Sequence, residues 1–217
     1  MNESLAMYRA MVGVGILCGV LIVSAFVGTK PIVDRNKAEA LQRAIFNVIP
    51  GAKTSATFAR ESDGRFVPLT GKPEGRAVVH AGYDDAGELL GLAIEAQGMG
   101  YQDVIRVLYG YSFEAQAVVG IQVLETKETP GLGDKIEKDP AFLANFEKLD
   151  ASLASDGSAV AHRIVTVKHG TKTEPWQIDA ITGATVSSVA IGEILGKSTE
   201  QWAPMLVPRR DDFKKAE

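Results

Sequence analysis

The chain has a single cysteine, Cys18, among 217 residues. One thiol excludes an intrachain disulfide, a cysteine-based zinc site and an iron–sulfur cluster held by this chain alone. Histidine is nearly as scarce. His80, His162 and His169 are spread out, with no second ligand or partner carboxylate at suitable spacing, which reads as ordinary surface or half-buried residues. Basic charge is not in surplus: 23 Lys and Arg against 27 Asp and Glu leave a net charge of −4, which argues against a nucleic-acid binder. There is no phosphate-binding Gly-x-x-x-x-Gly-Lys-[Ser/Thr] and no dinucleotide fingerprint. No paired carboxylates and no Ser-His-Asp arrangement mark a substrate site, so no catalytic residue and no metal ligand is assigned. Internal repeats and low-complexity tracts are absent too.

What is present begins with one long apolar run. Residues 10–28 carry no charge and consist mostly of Val, Leu, Ile, Gly and Ala. At about 1.5 Å per residue they span roughly 28 Å, close to the hydrocarbon thickness of a bilayer. The run reads as a membrane anchor, with a signal peptide cleaved near Val23-Ser24-Ala25 as the alternative. Arg9 precedes it, and Lys30, Arg35 and Lys37 follow. That count alone would place the larger part of the chain in the cytoplasm, although long domains obey the charge rule weakly.

The remaining residues, in a chain that is 46% apolar, have enough apolar material for a core. Spacings of three and four at Ala38, Leu41, Ala44, Ile45 and Val48 predict a helix over 34–49, stopped by Pro50-Gly51. Residues 52–73 are mixed, with turn signals at Asp63-Gly64 and Gly71-Lys72-Pro73. Strands are predicted at 77–83, 88–97, 104–112, 117–124 and 163–168. A short helix is predicted over 140–149 with Asp139 as cap, a second over 186–195 ending at Gly196-Lys197, and a further helical turn over 201–207. The fold class is α+β. The expected organisation is a polar lead at 1–9, a transmembrane helix at 10–28, a helical linker at 29–51, one domain of antiparallel strands with flanking helices at 52–207, and a solvated charged tail at 208–217.

Three stretches carry chemical information. The first is Asp179-Ala180-Ile181-Thr182-Gly183-Ala184-Thr185, directly before the helix-like run from Val186. Thr185 stands at a predicted helix start, where unpaired N–H groups and the positive dipole end favour a phosphate. Gly183 and Ala184 leave room for a bulky group to reach it. Thr185 as a simple cap fits the local pattern equally well. The second stretch, residues 97–103, offers Gly98 and Gly100 for close backbone approach and Met99 and Tyr101 as surfaces for a ring. In the third, residues 128–135, Pro130-Gly131 predicts a turn with glycine at positive φ. There Thr129 could bond a polar ring edge and Leu132 could cover a ring face. Each loop is equally compatible with a plain surface connection. Glu125, Lys127 and Glu128 read as surface or ring-edge charges.

The seven-residue stretch resembles Asp-x-x-[Ser/Thr]-Gly-Ala-[Ser/Thr], the pattern on which bacterial flavin transferase esterifies FMN phosphate to the last hydroxyl. Its fixed positions would coincide by chance in roughly one chain of this length in a thousand. With Glu128-Thr129-Pro130-Gly131-Leu132-Gly133 ahead of it and one N-terminal span, the chain resembles the FMN-binding subunits of membrane redox pumps. These are the G subunit of the Rnf ferredoxin:NAD oxidoreductase complex and the C subunit of the sodium-pumping NADH:quinone reductase. Asp134-Lys135-Ile136 is more similar to the Rnf type. The resemblance implies covalent FMN on Thr185, with Asp179 and Thr182 as parts of the modification signal and Gly183 and Ala184 beside it. It implies that Thr129, Gly131 and Leu132 lie in the loop near the isoalloxazine. It further implies an electron-relaying subunit rather than an independent enzyme, flavin transferase and other membrane subunits as partners, and a single-pass protein of the cytoplasmic membrane with its domain on the extracytoplasmic side. A stand-alone extracytoplasmic flavoprotein and a cofactor-free assembly module are the other expectations.

Overall fold

A computed structural model describes residues 2–71, 73 and 75–214. Met1, the centre of the expected 71–73 turn at Lys72, and the last three residues of the expected tail lie outside the described residues. The chain forms two compact units, Met1–Gln42 and Arg43–Glu217.

The first unit consists of most of helix α1, Asn2–Val48, which joins the predicted polar lead, span and second helix into one element. Every residue from 4 to 40 is exposed, the apolar ones included. The helix is long and apolar enough to cross a membrane, and an all-round apolar surface of this kind matches lipid rather than water.

The second unit contains the last turn of α1 and a seven-stranded sheet. Its strands are β1 (Thr54–Arg60), β2 (Phe66–Pro68), β3 (Val78–Tyr83), β4 (Leu89–Met99), β5 (Val104–Ser112), β6 (Ala117–Glu125) and β7 (Leu149–Asp150). The spatial order is β2-β1-β3-β4-β5-β6-β7, with every neighbour antiparallel. The sequence pattern does not predict β1, β2 or β7; β2 and β7 are too short to show a period of two.

The central strands are apolar on both faces because both faces are covered. In β5, Ile105, Val107, Tyr109 and Tyr111 join the main hydrophobic cluster with Ile191, Ile194 and Leu195. The alternate residue Gly110 meets the end of α1: a β-carbon there would stand 1.9 Å from the Val48 carbonyl oxygen. Ala44, Ile45, Val48 and Ile49 are buried on this side, which is where their three-and-four spacing leads.

The 140s are more broken than the pattern predicts. Helix α2 is only Pro140–Leu143, followed by a 3-10 turn at Ala144–Phe146, and Leu149 already belongs to β7. Asp139 is the cap, accepting from the Ala141 and Phe142 N–H groups. Strands β8 (Val165–Val167) and β9 (Gln177–Asp179) form a separate parallel pair. The last helix, α3, is Thr185–Leu206 and does not stop at Gly196. A β-carbon at Gly196 would lie 2.8 Å from the Ile164 carbonyl oxygen, so this glycine permits close approach of α3 to the segment leading into β8 instead of ending the helix.

The expected solvated tail is a correction as well. Residues Val207–Phe213 form a 3-10 helix. Phe213 is fully buried against Phe58 and Phe66, and its carbonyl accepts from Tyr83 Oη at 2.7 Å. One aromatic in a charged run is enough to dock it, because a buried Phe gains about 1.5–3 kcal/mol.

Candidate functional site

The two motif loops, at the same end of the central strands β4, β5 and β6, meet the start of α3. A cleft of about 370 Å³ is walled by Thr129, Leu132 and Gly133 from one loop, Tyr101 from another, and residues 183–187. Sequence positions more than 50 residues apart therefore form one concavity, within the usual size of a small-molecule site.

Thr185 opens α3 but does not cap it. The cap position is Ala184, with φ −131° and ψ 33°, and no side chain caps the helix. Thr185 is exposed to the cleft mouth. The first-turn N–H groups and the dipole end are thus left for an external acceptor beside a free hydroxyl. Gly183, with φ +84°, turns the chain from the motif into the helix. Ser188 supports the turn: its hydroxyl lies 2.9 Å from the Ala184 carbonyl, and its oxygen accepts from the Ile181 N–H.

The 128–135 loop is built as predicted at its turn. Gly131 has φ +79°, and its N–H donates to Asp134 Oδ1 at 2.6 Å. Gly131 serves that turn and is not among the cleft's lining residues, whereas Thr129 and Leu132 are. The Lys138 ammonium bonds Asp134 at 2.7 Å and holds its carboxyl below the usual carboxylate range. Leu132, Tyr101 and Val186 expose large apolar surfaces at the cleft, at 53%, 67% and 56%. They could cover a planar ring.

Of the two expectations for Glu128, a surface charge is excluded, because it is 5% exposed, and its place in the lining of the cleft is that of a ring-edge charge. Its Oε1 accepts from the Gln102 N–H at 3.0 Å, and its Oε2 accepts from the Ser187 hydroxyl. Two glycines make room for it. A β-carbon at Gly100 would stand 2.5 Å from Oε1, and one at Gly133 would stand 2.5 Å from Oε2. No local signal marks this acid, because its neighbours come from three separated segments. Lys127 points outward and pairs with Asp103.

Asp179 and Thr182 lie on the other side of the motif. They line a second cleft of about 380 Å³ with Lys135, Lys138, Asp139 and His169. Asp179 Oδ1 accepts from the Gly170 N–H at 2.7 Å, and Oδ2 lies 3.4 Å from His169 Nδ1. His169, in the β8–β9 connection, thus lies beside the Asp179 carboxylate of β9, a neighbour invisible in sequence spacing, while its Nδ1 is hydrogen-bonded to the Ala180 carbonyl at 3.0 Å. His162 stacks on Trp176 with centroids 3.8 Å apart. His80 is buried beside Thr57 at 3.0 Å, and burial lowers its pKa from 6.5. Among the described residues no cluster of His, Cys, Asp and Glu could hold a metal ion.

The residues around the 370 Å³ cleft fit a phosphate-bearing planar cofactor: an uncapped helix start beside a free hydroxyl, apolar ring-sized surfaces, and neutral polar atoms on Thr129. The FMN-binding domain family matches residues 100–199, which include every lining residue of this cleft. Over 198 residues the chain is 28% identical to the G subunit of the ion-translocating oxidoreductase complex of Methanosarcina acetivorans, covering 88% of this chain and 89% of that one. It is 32% identical over 158 residues to the protein of the same name from Escherichia coli strain K12, covering 71% and 70%. The fold is similar to the crystal structure of Shewanella oneidensis NqrC, with a TM-score of 0.62 at 19% identity over 82% of this chain and 99% of that one. It is similar as well to the C subunit of the Na(+)-translocating NADH-quinone reductase of Parabacteroides distasonis, with a TM-score of 0.64 at 18% identity over 82% and 96%.

Proposed function

The chain belongs to the family of G subunits of ion-translocating oxidoreductase complexes, and from that premise we propose that it relays electrons through FMN esterified to Thr185. The observation that carries the assignment is the meeting of Thr185, an uncapped helix start and the 128–133 loop in one cleft. When bound there, FMN would supply one- and two-electron chemistry, which suits a relay between carriers. The chain's own residues do the rest. Thr185 Oγ1 would carry the phosphoester, and the first turn of α3 would stabilise its charge. Leu132, Val186 and Tyr101 would bury the ring faces and exclude water, while Thr129 offers a hydroxyl to a polar edge.

Asp179 and Thr182 act at an earlier stage in this proposal, as the surface that flavin transferase reads. Their placement on a separate cleft beside the attachment point supports that division. α1 anchors the chain in the cytoplasmic membrane, and the domain stands on the extracytoplasmic side, where free FMN is scarce and a covalent tether prevents its loss. The relatives above 30% identity carry the name of G subunits, whereas the likeness to the quinone-reductase C subunits is one of fold alone.

The test is a denaturing gel of the full chain produced with active flavin transferase. In-gel flavin fluorescence is expected for the wild type and none for Thr185→Val, which keeps the shape and removes the hydroxyl. A dark wild-type band, or a fluorescent Thr185→Val band, sinks the covalent assignment.

A further inference from the structure

We propose that Glu128 is a positioning residue of the flavin cleft whose fixed charge holds the flavin's reduction potential down. The inference rests on the FMN assignment above and adds a role to a residue that the assignment does not use.

Glu128 is 5% exposed, yet its partners are two neutral donors, the Gln102 N–H and the Ser187 hydroxyl. Among the described residues no ion pair compensates it. Burying a charge is costly unless the surroundings offset it. Here the offset comes from the donors and from the first turn of α3, whose dipole end favours an anion. The site is built for the carboxylate: Gly100 and Gly133 approach its two oxygens from opposite loops, and any side chain at either would collide with it. One side chain thereby ties residues 100–102, the 128–133 loop and the helix that begins with Thr185. An apolar replacement would leave the Gln102 N–H and the Ser187 hydroxyl without these bonds.

The electrostatic consequence follows from position. Glu128 lines the same cleft as Thr185, in a wall where a charge is weakly screened. Two-electron reduction brings two electrons from the preceding carrier and one proton from solvent, so one negative charge is added until a second proton follows. A fixed carboxylate in the wall opposes that added charge and disfavours the reduced state. The helix start would otherwise favour reduction, and Glu128 partly cancels it.

The experiment uses the full-length, FMN-loaded chain in detergent and measures loading by in-gel fluorescence and the midpoint potential by spectroelectrochemical titration. Glu128→Gln keeps an acceptor for the Gln102 N–H and removes the charge. Loading should persist, and the equilibrium constant for reduction should rise about tenfold, which for a two-electron couple is about 30 mV to the positive. Ser187→Ala keeps the charge and removes one of its donors, so its potential should move in the opposite direction. If Glu128→Gln loads normally and titrates with the wild type, the proposal is overturned. If that variant takes up no flavin, Ser187→Ala decides alone: a negative shift supports the proposal and an unchanged or positive one overturns it. A wild type without fluorescence would overturn the covalent attachment to Thr185, whereas a fluorescent wild type with insensitive variants overturns only the role of Glu128.

Discussion

Two clefts of nearly equal volume flank the same seven residues, and they differ in the chemical groups they present. The cleft on the Asp179 side is lined by Lys135, Lys138, Asp139 and His169 together with Phe142 and Ile181, and its Asp179 carboxylate already accepts from the Gly170 N–H. The cleft on the Thr185 side exposes Tyr101, Leu132 and Val186, holds one deeply buried carboxylate, and opens on a helix start without a cap. Volume alone would not separate them. Only the second combines apolar ring-sized surface with an unsatisfied helix terminus, and that pairing suits a phosphate attached to a flat ring. A short motif can thus present its two ends to two different surfaces. In the proposal above, one end is read during maturation and the other holds the product.

The comparison predicts different penalties on the two sides. Thr185→Val should abolish flavin attachment while leaving the thermal stability of the flavin-free chain nearly unchanged, since its hydroxyl does not cap the helix. Asp179→Ala should lower both, attachment because the carboxylate belongs to the modification signal and stability because it braces the β8–β9 connection. It removes the hydrogen bond that the solvent-exposed Gly170 N–H donates, at a cost of about 0.5–1.5 kcal/mol, which calorimetry of the flavin-free chain would register as a lower Tm. Asp179→Asn sharpens the distinction, because an amide oxygen can still accept from Gly170. Its Tm should return towards the wild type while in-gel fluorescence stays weak, if flavin transferase reads the negative charge. Full fluorescence in Asp179→Asn would remove the carboxylate from the modification signal and leave it a purely structural brace.

The same contrast explains what the sequence disclosed and what it hid. The span, the four central strands and the Asp139 cap are local or periodic features, and each is legible from neighbours a few residues away. Thr185 at a helix start is legible for the same reason, as is the turn at Gly131. Glu128 is not, because its burial depends on Gly100, Gly133 and Ser187 arriving from three segments. The Asp179–His169 contact depends on parallel pairing of the predicted strand β8 with β9, whose three residues are too few to show a period. Gly196 and the 208–214 segment mislead for a related reason. A glycine used for close packing reads like a helix stop, and one buried Phe213 among charges reads like a solvated tail. Pattern finds what the backbone does locally; tertiary approach decides which acids are buried.

The smallest predicted effect tests whether the Asp179-side cleft is structurally separate from the flavin. Asp139 lines that cleft and caps α2, accepting at 3.0 Å and 3.1 Å from the first-turn N–H groups. Asp139→Ala should cost about 1 kcal/mol, a Tm decrease of about 2–4 °C for a domain of this size. Asp139→Asn, also a good cap, should recover most of it. Neither variant should move the flavin potential, because Asp139 does not line the Thr185 cleft. A potential shift in Asp139→Ala comparable to that of Glu128→Gln would mean that charge on either side of the motif reaches the flavin. The two clefts would then have to be treated as one electrostatic site.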